Sequence, residues 1–375
     1  MQIGINAQLL SKADAGVANY AKNLIKGLIN IDGQNNYSIF GNPVYLDWVV
    51  APNAVIVTTN TLIHGSPRRI LWEQFILPFK VGNRHLDIMH YPDHTAPLFC
   101  KVCPITITVH DLAFLSFPKT FGRVRRIYKS LSIFRSAAMA DRVIVVSEAT
   151  KKECLRFLNI PEERISVIYN GVHREFGPIE DEERLEDVKT IYGLSDKVIL
   201  YVGTLEPRKN ILNLVNAFYN LKKKERISHQ LVLAGGKGWL YKEVFEMVEQ
   251  LGMADDVKFT EYVPKDVLSI LYNIAEIFVY PSIYEGFGLP PLEAMACGCP
   301  VVVSNVASLP EVCGDAAYYV DPYSVESIAE GIYKVLTDEG LRQGLIQKGL
   351  ERANLFSWEK SAKEHIKVFE EVLNS

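Results

Sequence analysis

Two doubly wound α/β domains, each a parallel sheet with helices on both faces, are what this sequence predicts. The chain has 375 residues, more than one hydrophobic core usually organises, which favours two domains of similar size. Short β-branched runs alternate with longer stretches of helical periodicity, the pattern of βαβ units and parallel sheets. With 48% hydrophobic and 22% charged residues, the composition is that of a globular chain, and disorder is not expected.

The strands are carried in order by "QIGINA", "ITITVHD", "RVIVVS" and "RISVIYN", then by "VILYVG", "QLVLAGG", "VKFTEY", "EIFVYPS" and "PVVVSN". Between the two groups lies the acidic segment "IEDEERLEDVKTIYGLSDK". The junction is therefore placed between Gly171 and Pro178, giving domains at 1–171 and 172–357. The closing "FSWEKSAKEHIKVFEEVLNS" starts with Ser357 as a helix N-cap and keeps apolar spacing through Phe369 and Leu373. Either domain could receive it. Two such domains facing each other make a cleft, and ligands of open α/β sheets bind outside the carboxyl ends of strands. The informative residues are thus those just after strands.

The net charge of −4 hides an asymmetry. Through Gly171 there are 19 Lys and Arg against 12 Asp and Glu; beyond it there are 21 against 32. One half is basic and the other acidic, so their partners should differ. The acidic total and the lack of a nucleic-acid-binding motif speak against nucleic acid. No apolar run reaches the ~18 residues of a membrane span, and "MQIGINAQLL" enters a strand without a basic leader, so a cytoplasmic location is expected. Six scattered cysteines suit a reducing compartment. Cys100-x-x-Cys103 lacks a second pair for zinc, and Cys297-x-Cys299 reads as the apolar start of a helix; both are packing residues on this reading.

In the first half, the loop in "AQLLSKADAGVANYAKNL" leads into a helix, and Gly16 would let the chain approach phosphates or an acceptor. "ITITVHDLAF" delivers His110 and Asp111 at a strand end, where a structural histidine beside a turn-capping aspartate competes with a functional pair. "FGRVRRIYKSLSIFRSAAMA", residues 121–140, interleaves Arg123, Arg125, Arg126, Lys129 and Arg135 with Phe121, Ile127, Tyr128, Leu131 and Phe134. Two readings fit: a basic amphipathic helix on an anionic membrane or a phosphate-bearing acceptor, or a surface helix with solvated arginines.

In the second half, "YVGTLEPRKNILNLVNAF" ends a strand at Val202, turns through Gly203 and starts a helix near Asn210. Arg208 and Lys209 stand at that corner, where a guanidinium fork and a mobile ammonium suit phosphate. Two exposed basic residues in a turn are the bland alternative. "QLVLAGGKGW" ends another strand in glycines. "FTEYVPKDVLSILY" offers Tyr262 and Val263 before Pro264, a place for a nucleotide base or a plain loop.

"PSIYEGFGLPPLEAMACGCPVV" then becomes legible. Glu285 sits in a turn, Gly286 and Gly288 permit close approach, and Pro290 or Pro291 starts a helix whose first turn holds Glu293. Capping explains Glu293 blandly but leaves Glu285 without a local task. A carboxylate accepts two hydroxyls of a vicinal diol, and free amides suit a diphosphate. Acids flanking an amide-rich, glycine-lined turn describe a ligand with a sugar at both ends and phosphates between, a sugar nucleotide. No Asp-x-Asp occurs in the chain, so the carboxylate pair that holds a divalent metal on diphosphates is missing and no metal is expected.

With these residues in hand the chain resembles the retaining glycosyltransferase family 4, of the two-domain GT-B fold. The resemblance runs almost end to end, through "GVANYAKNL", "VHDLAFLSFP", "VIVVSEATKKE", "VIYNGV", "YVGTLEPRKNI", "PSIYEGFGLPPLEAMACGCPVVVSNVASLPEVCGDAAYYVDP" and "FSWEKSA". It implies that Glu293 holds the nucleotide ribose and Glu285 lies near the donor sugar. Gly286, Phe287, Gly288 and Leu289 would form the loop whose amides meet sugar and diphosphate, and Lys209 would be the diphosphate lysine. His110 matches the family's cleft histidine, and the closing helix, 358–375, would cross back to the N-terminal domain. Many members carry Arg where this chain has Thr204, so Arg208 is expected to take over that phosphate contact. "GTLEPRKN" is similar to bacterial mannosyltransferases of O-antigen and exopolysaccharide assembly.

The resemblance and the residues together imply metal-free, retaining transfer of a hexose without a cofactor. Mannose is favoured over glucose or galactose, from a GDP- or UDP-linked donor to a hydroxyl of a lipid-linked or oligosaccharide acceptor. Two other readings stay open: a two-lobed sugar-nucleotide-binding protein without chemistry, and a sugar-nucleotide epimerase of the same fold.

Overall fold

The structure is a computed structural model that describes residues 1–10, 16–59, 66–97, 100–118 and 122–375, with backbone only for Ser66, Pro67, Val124 and Arg125. The loop residues 11–15 before Gly16, and Phe121 of the basic helix, lie outside the described residues. The chain divides into two compact units, Met1–Gly171 with Ser357–Ser375, and Val172–Phe356.

The first unit is built on a seven-stranded sheet: β1 (Gln2–Asn6), β2 (Asn36–Gly41), β3 (Ala54–Thr58), β4 (Ile88–Tyr91), β5 (Ile105–Val109), β6 (Arg142–Val145) and β7 (Ile165–Val167). Their order is β3-β2-β1-β4-β5-β6-β7, with every neighbouring pair parallel. The chain winds outward from β1 to β3, then restarts beside β1 at β4, which makes the β1/β4 edge a topological switch point. β5 is buried along its whole length, as a strand covered by helices on both faces must be, and this selects its β-branched run. β2, β3 and β4 were not among the strands the sequence reading named. Asn36, Ser38 and Gly41 interrupt the β2 pattern, β3 is an edge strand with Val55 exposed, and β4 has only four residues, one of them His90.

Helix Trp358–Leu373, capped by the Ser357 hydroxyl accepting from the Lys360 amide, packs within this unit against helix Val17–Ile31. Between them runs a buried polar chain. His365 Nδ1 lies 2.7 Å from the Ser361 carbonyl, which can only accept, so Nδ1 carries the proton and Nε2 is the acceptor. The Tyr20 hydroxyl therefore donates to His365 Nε2 at 2.9 Å and accepts from Thr108 at 3.0 Å. Burial keeps the His365 imidazole neutral, holding its pKa down to about 4.

The second unit carries β8 (Val198–Val202), β9 (Gln230–Ala234), β10 (Val257–Glu261), β11 (Ala275–Tyr280), β12 (Val301–Ser304) and β13 (Ala317–Val320) in the order β10-β9-β8-β11-β12-β13. All pairs are again parallel, and the switch point falls between β8 and β11. β13, with half-buried tyrosines at Tyr318 and Tyr319, is the strand here that the sequence reading did not name. All six cysteines are unpaired. Cys297 and Cys299 follow the end of helix Leu289–Ala296 rather than opening a helix, which corrects the expectation for that pair.

Candidate active site

At the β8/β11 switch point the two strands release their chains into turns that converge. After β8 the backbone passes Gly203, forms a short turn of 3-10 helix at Pro207–Lys209, and enters helix Ile211–Asn220. Asn210 joins the two in a left-handed conformation, φ 61°, which asparagine tolerates better than most residues. Its side-chain amide donates to the carbonyls of Pro281 and Pro322 at 3.0 and 2.6 Å, tying this corner to the turn after β11. The Ile283 amide reaches the Arg208 carbonyl at 2.9 Å, a second stitch.

These stitches bring Arg208 and Lys209 onto Glu285. Lys209 Nζ lies 2.6 Å from Glu285 Oε1 and donates to the Tyr280 hydroxyl at 2.7 Å. Arg208 Nη1 stands 3.4 Å from Glu285 Oε2 and donates to the Tyr284 carbonyl at 2.8 Å, while Nη2 pairs with Glu206 at 2.8 Å. Lys209 and Glu285 are both buried. Burial alone would raise the Glu285 carboxyl, but Lys209 and Arg208 together outweigh it and hold it below the ordinary carboxylate range. The same burial lowers the Lys209 ammonium, with Glu285 opposing. Glu285 thus has a local task after all. It neutralises two cations that would otherwise be desolvated side by side, and the expectation that it lacked one is corrected.

Glu293 also departs from expectation. Helix Leu289–Ala296 begins one or two residues earlier than the prolines suggested, with Gly288 at its N-cap and no acidic residue in its first turn. Glu293 lies a turn deeper, buried, with the Tyr272 hydroxyl donating to Oε2 at 3.1 Å. Capping therefore does not account for it. Burial pushes its carboxyl up to about 7, offset only in part by Tyr272 and Lys265.

The turn between the acids is fixed by Ser308, whose hydroxyl is shared between the carbonyls of Glu285 and Phe287 at 2.9 and 2.7 Å. Phe287 packs edge-to-face on Phe356 with centroids 5.9 Å apart. Gly288 has φ 104°, a conformation open to glycine, and Leu289 follows as the first helical residue. Where β8 and β9 end, Gly235 approaches Gly203 so closely that a Cβ on Gly235 would lie 2.0 Å from the Gly203 carbonyl oxygen. Two strand ends can meet there only without side chains. Beyond β10, Val263 is buried and Tyr262 is exposed, and Pro264 caps helix Lys265–Ile274.

In the first unit, Gly16 stands at the N-cap of helix Val17–Ile31 with φ 54°. His110 follows β5, with Nε2 2.8 Å from the Pro92 carbonyl and its ring edge-on to Tyr20 at 4.5 Å. Nε2 therefore carries the proton and Nδ1 is the acceptor. Burial lowers its pKa, so the ring is neutral at pH 7. Asp111 accepts from the Ala113 amide at 3.0 Å, a turn-capping contact.

The sequence reading missed the residues that hold these groups. Tyr280 seats Lys209, Glu206 orients Arg208, Tyr272 meets Glu293, and Asn210 joins the turns. Tyr280 and Asn210 flank motif residues, and their position alone was a signal. Tyr272 comes from a different helix, and no local pattern points to it.

Residues 184–352 match the family model of glycosyl transferases group 1, and residues 15–176 match that of glycosyltransferase family 4. O-antigen chain mannosyltransferase B of Escherichia coli is 37% identical over 262 residues, 70% of this chain and 69% of that protein. O-antigen chain mannosyltransferase RfbU of Salmonella typhimurium is 29% identical over 343 residues, 88% of this chain and 90% of that one. Among solved structures, Anabaena Alr3699/HepE in complex with UDP-glucose superposes with a TM-score of 0.78 at 17% identity, covering 99% of this chain and 100% of the other. That likeness is one of fold.

Proposed function

The chain belongs to the family 4 glycosyltransferases and has their GT-B fold, and from that premise we propose that it is a retaining, metal-independent mannosyltransferase. Its donor on this reading is a nucleoside-diphosphate mannose. Its acceptor is a hydroxyl of a lipid-linked or oligosaccharide glycan in O-antigen assembly. The observation that carries the reading is the convergence of Arg208 and Lys209 on Glu285 at the β8/β11 switch point. The named mannosyltransferase relatives support the choice of sugar.

In the reaction we infer, the bond from the anomeric carbon to the diphosphate oxygen breaks while the acceptor oxygen bonds to the same face. The leaving phosphate takes the acceptor's proton. Negative charge grows on the diphosphate, and Arg208, Lys209 and the amides of Gly286–Leu289 stabilise it. As phosphate takes up the cations, Glu285 is released toward the hydroxyls of the transferred sugar. Glu293 accepts the ribose diol, Gly203 leaves room for the donor's backbone contacts, and Tyr262 and Val263 border the base. In the first unit, Gly16 and His110 are the residues that the resemblance assigns to substrate contacts.

A turnover assay that reads both free nucleotide and mannosylated acceptor tests this. Glu285→Gln should lower transfer by about a thousandfold, and near-normal turnover would sink the assignment. EDTA should leave the rate unchanged, and an absolute divalent-metal requirement would overturn the metal-free step. An α-configured product from an α-configured donor is the expected stereochemistry by NMR; inversion would exclude the same-face route. Release of an altered sugar still attached to nucleotide would favour the epimerase, and tight binding without any product would favour a binding protein.

A further inference from the structure

In the first unit, Ser66–Leu71, Trp72–Ile76 and Leu77–Gly82 run on as one helix, in which the Leu77 amide bonds the Trp72 carbonyl five residues back. That wider turn broadens the arc facing the sheet, so Trp72, Glu73 and Gln74 are buried in succession. Arg69 Nε stands 3.8 Å from Glu73 Oε2, too far for a hydrogen bond, while Asn6 Nδ2 donates to Oε1 at 3.2 Å. Asn6 is the last residue of β1, which places Glu73 at the carboxyl end of the sheet, beside the β1/β4 switch point.

Around Glu73 the hydrogen bonding is incomplete. Of eleven buried side-chain polar atoms without a hydrogen-bond partner among the described residues, four belong here: Gln8 Nε2, Arg69 Nε, Tyr128 Oη and Ser132 Oγ. Ser132 is only 1% exposed. The Gln8 amide donates to Asn6 Oδ1 at 3.3 Å, which holds Gln8 beside the Asn6–Glu73 pair. Tyr128 and Ser132 are neighbours on helix Arg123–Met139, and Tyr128 feels the charges of Glu73 and Arg69. Ala96 joins the two helices, its carbonyl accepting from Gln74 Nε2 at 3.3 Å and its amide donating to Ser136 Oγ at 2.9 Å. Native interiors pair nearly all their buried polar groups, so exceptions gathered at the ligand-binding end of a parallel sheet point to a ligand that completes them.

The unpaired groups define its chemistry. Gln8, Tyr128 and Ser132 offer uncharged donors. Arg69 is set against Glu73, and Lys129 and His94 against Asp93, with His94 Nδ1 2.6 Å from the Asp93 carboxylate. Each cation here thus faces a carboxylate, and Glu73 itself repels an anion. Burial pushes the Glu73 carboxyl up to about 7, with Arg69 and Asn6 opposing, and hydroxyls that donate to it favour the ionised form. Groups that both donate and accept, spaced around a compact ring, match this set: the vicinal hydroxyls of an uncharged sugar.

We propose that this cluster seats an uncharged sugar unit of the acceptor, and that Glu73 is the residue that selects it over an anionic one. The inference rests on the proposed transfer to a glycan and adds the class of the unit held here, rich in hydroxyls and free of phosphate or carboxylate. Gln8, Arg69, Tyr128 and Ser132 donate to its hydroxyls, and Glu73 accepts.

An uncharged α-linked mannotriose and the same trisaccharide bearing a terminal 6-phosphate are the probes, read by saturation-transfer NMR and as acceptors in the turnover assay. The native chain should bind the first at millimolar concentration and reject the second. Glu73→Gln keeps the shape and an acceptor for Asn6 but loses the charge. It should raise the acceptor KM about tenfold, leave kcat and acceptor-free hydrolysis of the donor unchanged, and relax the rejection of phosphate. Tyr128→Phe removes one hydroxyl and should raise the same KM about fivefold. Native-like thermal unfolding midpoints separate these effects from misfolding, and if Glu73→Gln does not fold, Tyr128→Phe and the NMR of the native chain decide. Unchanged KM in either folded variant would overturn the proposal, as would equal binding of the two probes or binding of neither. Failure of the transferase reading looks different: the native chain would hold mannotriose, and the variants would lose it, without any sugar being transferred.

Discussion

Glu285 and Glu293 lie eight positions apart and meet opposite electrostatics. Glu285 is ionised between two cations, and while Arg208 also has Glu206, Glu285 is the carboxylate paired with the buried Lys209, so neutralising Glu285 alone leaves that ammonium buried without its ion-pair partner, at a cost of about 3–5 kcal/mol. Glu285→Gln should therefore lower the denaturation midpoint sharply, whereas Lys209→Met/Glu285→Gln should recover most of that stability and still lack transfer activity. Urea titrations beside a turnover assay separate the two effects. Glu293 has a carboxyl near 7, and hydroxyl donors prefer the ionised form. On the proposed ribose contact, nucleotide affinity should rise as pH climbs through about 7, by about tenfold from pH 6 to 8. Calorimetry on the native chain and on Glu293→Gln checks this: a flat profile in the variant is expected, and a flat profile in the native chain would remove Glu293 from the ribose.

At the scale of the element, the turn Glu285–Gly288 is held by Ser308 and by the positive φ of Gly288. Gly288→Ala forces a side chain into that conformation, with the new Cβ about 2.8 Å from Leu309 Cδ2. It should cost about 1–2 kcal/mol of stability and weaken nucleotide binding, read by thermal unfolding with and without GDP. How much of this was legible in the sequence depends on what encodes each element. β5, β6, β8, β11 and β12 are buried β-branched runs that announce themselves, while β4 is short and holds His90 in its middle. Arg208, Lys209, Glu285 and Glu293 could be singled out because they follow strand ends or sit in a dense motif. Their pairing could not, because the contacts join residues 77 and 76 positions apart through sheet order.

For the molecule as a whole, the buried Tyr20–His365 chain links acid stability to the attachment of helix Trp358–Leu373. The folded-state pKa of His365, about 4, lies below the ordinary value of 6.5. The unfolded chain therefore takes up a proton first as pH falls. The stability this group contributes is fully present above about 6.5 and declines toward pH 4, by about 3 kcal/mol in total. His90, at the same core and also held low by burial with a His365 contribution, adds in the same direction. Denaturant midpoints at pH 7.5 and 5 should differ by a clear margin in the native chain, and by less in His365→Gln. The division of the chain into Met1–Gly171 with Ser357–Ser375 around an intervening Val172–Phe356 has a further consequence during synthesis. When Gly171 leaves the ribosome, the sheet-covering helix Val17–Ile31 still lacks the helix that packs on it. It must wait, with that apolar flank bare, through the time taken to translate the whole second unit. The nascent first unit is thus a natural client for chaperones, and a ribosome stalled before Ser357 should hold it in a protease-sensitive state that the finished chain does not share.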